Sequence, residues 1–144
     1  MKLDDHVGFM VTKTLRQLNV LFNQEFNAYG ITSEQWSLLK RLDAQEGISM
    51  KDLAQAAEKD QGNVTRILDL LEKRAYVRRS ANPNDKRSTL VYLTPAGKEL
   101  TERLIPLDIR VHEAAVEGLT EEELAVFARV LDTIAHNASR NAIS

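Results

Sequence analysis

One stretch of the chain, residues 49–97, carries most of the information about the fold: SMKDLAQAAEKDQGNVTRILDLLEKRAYVRRSANPNDKRSTLVYLTPAG. A short helical pattern begins at Ser49, breaks at residues 57–60, and gives way to a longer helical pattern over residues 61–74. In that longer pattern one face is apolar, because the side chains recur at helical spacing. This face consists of Val64, Ile67, Leu68 and Leu71. The stretch therefore opens with two helices joined by a tight break.

The hydrophobic period then changes from helix to strand. Residues 76–80 and 88–93 are rich in β-branched and aromatic side chains, which favours two strands. Residues 81–87 are rich in turn-forming residues and predict a loop with a basic tip. Two helices followed by a β-hairpin are typical of a winged helix-turn-helix.

Amphipathic helices flank this stretch on both sides. An apolar stripe over residues 7–26 predicts a first helix that stops near Gly30, and a capping box at residues 32–35 opens a second. After Thr94 two more helices are expected, the first kinked at Pro106.

The predicted fold is mainly α with a small β-hairpin. It is a single domain over residues 1–144, with a winged helix-turn-helix lobe over about 32–95 and dimerisation helices over about 1–30 and 96–144.

The dimerisation prediction follows from the three long apolar stripes outside the lobe. One small lobe cannot cover them all, whereas a second copy of the chain would. An extra helical layer within a monomer is the alternative.

Charge is distributed unevenly along the chain. The net charge is −2, but residues 59–87 hold eight Lys or Arg against four Asp or Glu, a local charge of +4. The remainder holds 11 basic and 17 acidic residues, so its charge is −6. A basic block in an acidic protein is typical of a phosphate-binding face, although chance fluctuation produces such blocks too.

The helix over residues 61–74 is the candidate recognition helix. The second helix of such a pair enters the DNA major groove with its N-terminal residues near the base edges. Its polar face offers hydrogen-bonding groups, positive charge and, at Gly62, close backbone approach. The candidate DNA-binding residues are Gln61, Gly62, Asn63, Thr65 and Arg66. An ordinary surface helix is the alternative, and Asp69 on the same face favours it mildly.

The hairpin tip adds Lys86 and Arg87 as candidate DNA contacts. An arginine on a thin β-wing can enter the negatively charged minor groove. Asp85 is expected to support the wing, either by accepting hydrogen bonds from loop amides or by pairing with an arginine. A solvated charged turn is the alternative.

These residues resemble a known family. Residues 60–74 are similar to the recognition helix of the MarR (multiple antibiotic resistance regulator) family, and residues 82–97 resemble its wing, with the Asp-x-Arg motif at Asp85 and Arg87. The resemblance implies a homodimeric regulator, most often a repressor, on a pseudo-palindromic operator in double-stranded DNA. It implies Arg87 as the minor-groove contact with Asp85 as its support. It also implies a small aromatic or phenolic effector, for which no binding residues are predicted.

Composition and the absence of certain motifs argue against several other functions. The chain has no cysteine, which excludes the oxidant-sensing branch of the family. The three histidines lack the spacing of a metal site, no nucleophile has a plausible base, and no phosphate loop is present, so neither an enzyme nor a cofactor is expected. Without a secretion signal or an 18-residue apolar run, we expect a cytoplasmic protein with no membrane contact. A helical protein-interaction module without DNA binding is the alternative function.

Overall fold

The computed structural model describes residues 2–141, which fall into two compact units divided after Val111. The first unit contains the predicted lobe and the first helix. The second holds the end of the fifth helix and the whole of the sixth. The predicted dimerisation segments begin at residue 1 and end at residue 144; residue 1 and residues 142–144 lie outside the described part.

The described residues confirm a mainly helical fold with a small antiparallel sheet. The helices are α1 (Val7–Phe26), α2 (Ser33–Ala44), α3 (Met50–Ala56), α4 (Gln61–Lys73), α5 (Pro95–Ala115) and α6 (Glu121–Arg140). The strands are β1 (Ile48–Ser49), β2 (Val77–Asn82) and β3 (Asp85–Leu93). Short 3-10 turns occupy Leu3–Asp5 and Asn27–Tyr29.

Polar side chains at the N-cap positions stabilise the first turns of these helices. Thr32, Ser49, Asp60 and Thr120 each accept a hydrogen bond from the backbone N–H three residues further on. Thr94 does the same for Gly97 at the start of α5. Each bond satisfies an N–H that has no partner within its helix. The helix starts predicted at Thr32, at Ser49 and after Thr94 are therefore confirmed.

The core of the first unit gathers apolar side chains from α1 to α5 and the sheet. All four predicted inner-face residues of α4 are buried. From α1 only Phe22 and Phe26 enter the core, where their rings stack 3.9 Å apart. The apolar residues of α1 from Val7 to Val20 remain exposed.

The sheet has three strands in the order β1-β3-β2, all antiparallel. The hairpin loop predicted over residues 81–87 is shorter than expected, because β2 reaches Asn82 and β3 starts at Asp85. Asn82 accepts the N–H of Asn84, which leaves only residues 83–84 as the turn. β1 was not predicted, since a two-residue strand has no periodicity and forms only because β3 lies beside it.

The fifth helix continues through Pro106 without interruption, and its predicted kink stays a prediction. Proline has no N–H, so the carbonyl of Glu102 lacks its usual partner in the helix. In the second unit, α6 has no buried residue.

Candidate DNA interface

The polar face of α4 lies at the protein surface, as expected. Gln61, Gly62 and Arg66 are exposed, while Asn63 and Thr65 are partly exposed. Asp60 caps the helix by accepting the N–H of Asn63 at 2.7 Å, which holds the first turn in place. The Thr65 hydroxyl donates to the carbonyl of Gln61 at 2.9 Å, so only its oxygen and methyl group are available to a ligand.

The wing turn is organised by short polar side chains. The Asp85 carboxylate accepts the N–H of Arg87 at 3.0 Å, and Lys86 and Arg87 are exposed beside it. Of the two roles considered for Asp85, accepting a hydrogen bond from a loop amide is the one observed. This bond holds the backbone of the tip while the Arg87 side chain projects from the surface.

One surface cleft joins the two predicted halves of the site. Its volume is about 520 Å³, and Gln61 of α4 lines it together with Asp85 and Arg87 of the wing. The fold thus brings together residues 24 to 26 positions apart in the sequence. The start of the recognition helix and the wing face one continuous groove.

The same cleft has lining residues that the sequence analysis missed. They are Ser49, Met50, Lys51 and Asp52 at the start of α3, and Asn82, Ser88 and Thr89 of the hairpin. Of these residues, Lys51 could have been predicted from the sequence, because it is a cation at the start of the first helix of the pair. The hairpin hydroxyls gave no signal, because their facing depends on the register of β3.

Arg66 has neighbours on two helices. Its Nη2 donates to the Asn63 amide oxygen at 2.7 Å and lies 3.4 Å from the Glu34 carboxylate of α2. Glu34 was not predicted, since 32 positions separate it from Arg66 and no local pattern connects them.

Arg79 of β2 ties the wing to α4. Its Nη2 donates to Asp69 at 2.6 Å and its Nε donates to Glu72 at 2.9 Å. The hydrogen bond to Glu72 raises the pKa of Arg79 above its ordinary value, although partial burial opposes this. Asp69, whose charge favoured an ordinary surface helix, is therefore one of two carboxylates on α4 that bind Arg79 of the wing.

Across residues 2–141 no group of three or more His, Asp or Glu side chains is placed to hold a metal ion. Within the same residues no helix combines the length and apolar character needed to cross a membrane.

Known proteins resemble this chain along most of its length. The MarR family model matches residues 31–89, which include α2, α3, α4, β1 and β2. The multiple antibiotic resistance protein MarR of Escherichia coli is 29% identical over 131 residues, 89% of this chain and 90% of the relative. The transcriptional repressor NicR of Pseudomonas putida is 28% identical, covering 83% of this chain and 75% of the relative.

Solved structures agree with these sequence matches. A mutant of Escherichia coli MarR complexed with operator DNA has a TM-score of 0.80 at 28% identity, over 93% of this chain and 99% of that one. Bordetella bronchiseptica BpsR, whose DNA binding is regulated by 6-hydroxynicotinic acid, has a TM-score of 0.87 at 25% identity, over 94% and 96%. The capped helix α4, the wing motif, the fold and these matches together support a winged helix-turn-helix transcription regulator of the MarR family.

Proposed function

We propose that this protein binds double-stranded DNA as a homodimer on a pseudo-palindromic operator and represses transcription there. The observation that carries the proposal is the cleft shared by α4 and the wing. A groove bounded by a polar helix N-terminus and an exposed arginine offers hydrogen-bond donors to the phosphates and base edges of DNA. Repression is supported by the relationship to NicR, a transcriptional repressor.

The residue roles follow from position and chemistry. Gln61, Gly62, Asn63, Thr65 and Arg66 contact the major groove, and Arg87 enters the minor groove with Lys86 beside it. Asp85 supports the wing by holding the Arg87 amide. Lys51, which lines the same cleft, adds a phosphate contact.

The division of labour along the chain is the one expected from sequence. Residues 32–95 bind DNA, and residues 1–30 and 96–144 pair with a second copy. Exposed apolar side chains on α1 and α6 support this pairing. The same surfaces would serve a protein-interaction module, but such a module has no use for a basic wing beside a polar helix. Because its ligand is chromosomal DNA, we place the protein in the cytoplasm.

A small aromatic acid is the effector class that we propose. The support is the relationship to BpsR, whose DNA binding responds to 6-hydroxynicotinic acid. Such a ligand weakens DNA binding only when it binds better to a dimer with the wrong half-site separation.

The first test is selection of bound sequences from random duplex DNA, with the mass of the protein in solution measured alongside. We expect a two-fold symmetric motif, with half-sites about 34–36 Å apart, bound by a dimer. A folded protein that enriches no sequence and binds no duplex would overturn the proposal.

Arg87→Ala tests the wing contact in the same assay. We expect operator affinity to fall at least about tenfold, since a charged side chain in the narrow groove is lost. Arg103→Ala is the matched control, because it removes the same charge from an exposed arginine on α5 that pairs with Glu99. Equal affinity of the Arg87 and Arg103 variants would remove the wing from the interface.

A further inference from the structure

Glu34 is an acidic residue placed beside the candidate DNA-contacting arginine. It lies in the first turn of α2, and its carboxylate is 3.4 Å from Nη2 of Arg66. The same Nη2 also donates to Asn63 at 2.7 Å. One nitrogen of the guanidinium is therefore shared by two acceptors, of which one is an anion.

The rest of the guanidinium is available to a ligand. Of its five N–H groups, the two on Nη2 face these acceptors. The three on Nε and Nη1 have no hydrogen-bond acceptor among residues 2–141. The side chains of Arg66 and Glu34 are 60% and 50% exposed, so DNA can reach both.

Two kinds of acceptor on DNA compete for these N–H groups, and they differ in charge. A phosphate that approaches Arg66 also approaches the Glu34 carboxylate, and two anions at close range repel each other. A guanine edge presents O6 and N7, which accept hydrogen bonds without carrying a net charge. Glu34 can keep its place at Nη2 while Nη1 or Nε donates to a base.

We propose that Glu34 is a specificity-determining residue that withholds Arg66 from phosphates and leaves it available to base edges. This inference rests on the proposed function and identifies how its recognition helix discriminates between sequences. Because the ion pair is exposed, its effect is several-fold and does not control affinity as a whole. Glu34 acts mainly by weakening binding to random DNA.

Glu34→Gln tests this directly, since it keeps the shape of the side chain and removes its charge. We expect the affinity for random duplex to rise about three- to tenfold and the affinity for the selected operator to rise less. The salt dependence on random DNA is expected to steepen by about one phosphate contact as Arg66 engages the backbone. The ratio of operator to random affinity consequently falls.

Two matched variants separate this effect from general electrostatics. Glu58→Gln removes the same charge from the same lobe at an exposed position that has no contact with Arg66, and it is expected to leave the ratio unchanged. Placing Glu34→Gln in an Arg66→Ala background is expected to abolish the change in ratio, because Glu34 acts through Arg66.

Three results would overturn the inference: an unchanged ratio in Glu34→Gln, an equal change in Glu58→Gln, or an equal change without Arg66. Failure of the proposed function itself appears earlier and differently, as a wild-type protein that shows no preference for any duplex sequence.

Discussion

At the scale of single residues, two helices of the lobe end in a left-handed backbone conformation without a glycine. Glu58 and Ala75 have φ of 53° and 65°. In each case the N–H groups of this residue and the next donate back to the last turn, as Ala75 does to Glu72 and Tyr76 does to Leu71. This double hydrogen bond is the Schellman motif, which most often has glycine at the left-handed position.

Ala75→Gly is therefore expected to stabilise the protein. Removing the Cβ relieves the left-handed strain, and the greater freedom of glycine in the unfolded chain offsets part of that gain. We expect the free energy of unfolding to rise by about 0.5–1 kcal/mol, measured by urea denaturation. Ala128→Gly in the middle of α6 is the control, and it is expected to lower the same quantity by up to about 1 kcal/mol.

Gly97 presents the opposite case, where a side chain has no room. A Cβ at this position would overlap the carbonyl oxygen of Tyr76, which also accepts the N–H of Thr94. The start of α5 thus packs directly on the backbone that leads into β2.

Gly97→Ala is expected to destabilise the protein by roughly 1–3 kcal/mol, because backbone must move to admit the methyl group. Gly8→Ala is the matched control, since nothing lies within 4 Å of its added Cβ. Both variants change the unfolded chain equally, so a difference in their urea midpoints reports the native clash. Equal midpoints would contradict the close approach.

At the scale of elements, the wing and the recognition helix are held together by Arg79. Its bonds to Asp69 and Glu72 connect β2 to the C-terminal half of α4. The orientation of Arg87 relative to Gln61 consequently depends on a contact outside the cleft that these two residues line.

Arg79→Gln is expected to lower the free energy of unfolding by about 1 kcal/mol, because two ion pairs are lost. It is also expected to lower operator affinity several-fold, because ordering a mobile wing on DNA costs conformational entropy. Arg78→Gln is the control: the neighbouring arginine stacks on Tyr92 at 4.1 Å and does not bond to α4. Amide hydrogen exchange of Arg87 and Ser88 should accelerate in the first variant alone. Unchanged exchange there would show that the hairpin holds its own position.

At the scale of the whole molecule, α1 and α6 each expose apolar side chains that water disfavours. On α1, Val7, Val11 and Leu15 are about half exposed, and on α6 Val126 and Phe127 are. All of these except Val126 belong to the stripes from which pairing of two copies was predicted.

The double variant Leu15→Glu with Phe127→Glu is expected to be folded but monomeric, as measured by light scattering. Both side chains are more than half exposed in the single chain, so the core is not affected. Loss of the second half-site contact is expected to weaken operator binding about 100-fold. Gln17→Glu, an exposed polar change on α1, is the control. A dimer of unchanged affinity would place the pairing surface elsewhere.

Local patterns in the chain were sufficient for the order of the six helices and the hairpin, and for the candidate recognition helix. Capping at Thr32, Ser49 and Asp60 and the 3.6-residue period of Val64 and Leu68 depend on neighbours within one or two turns. Such short-range signals survive in the sequence of any fold that uses them. The candidate contact Arg66 followed from the same patterns, and Arg87 followed from the turn-rich, basic tip of the hairpin.

Contacts between distant residues decided the features that these local patterns missed. The partner of Arg66 is 32 positions away, the anchor of Arg79 lies on another element, and β1 exists only beside β3. Each depends on how helices and strands pack, and packing joins residues that no local period relates. The left-handed conformations of Glu58 and Ala75 could not be predicted from residue type either. Surrounding hydrogen bonds impose a conformation that neither residue favours by itself.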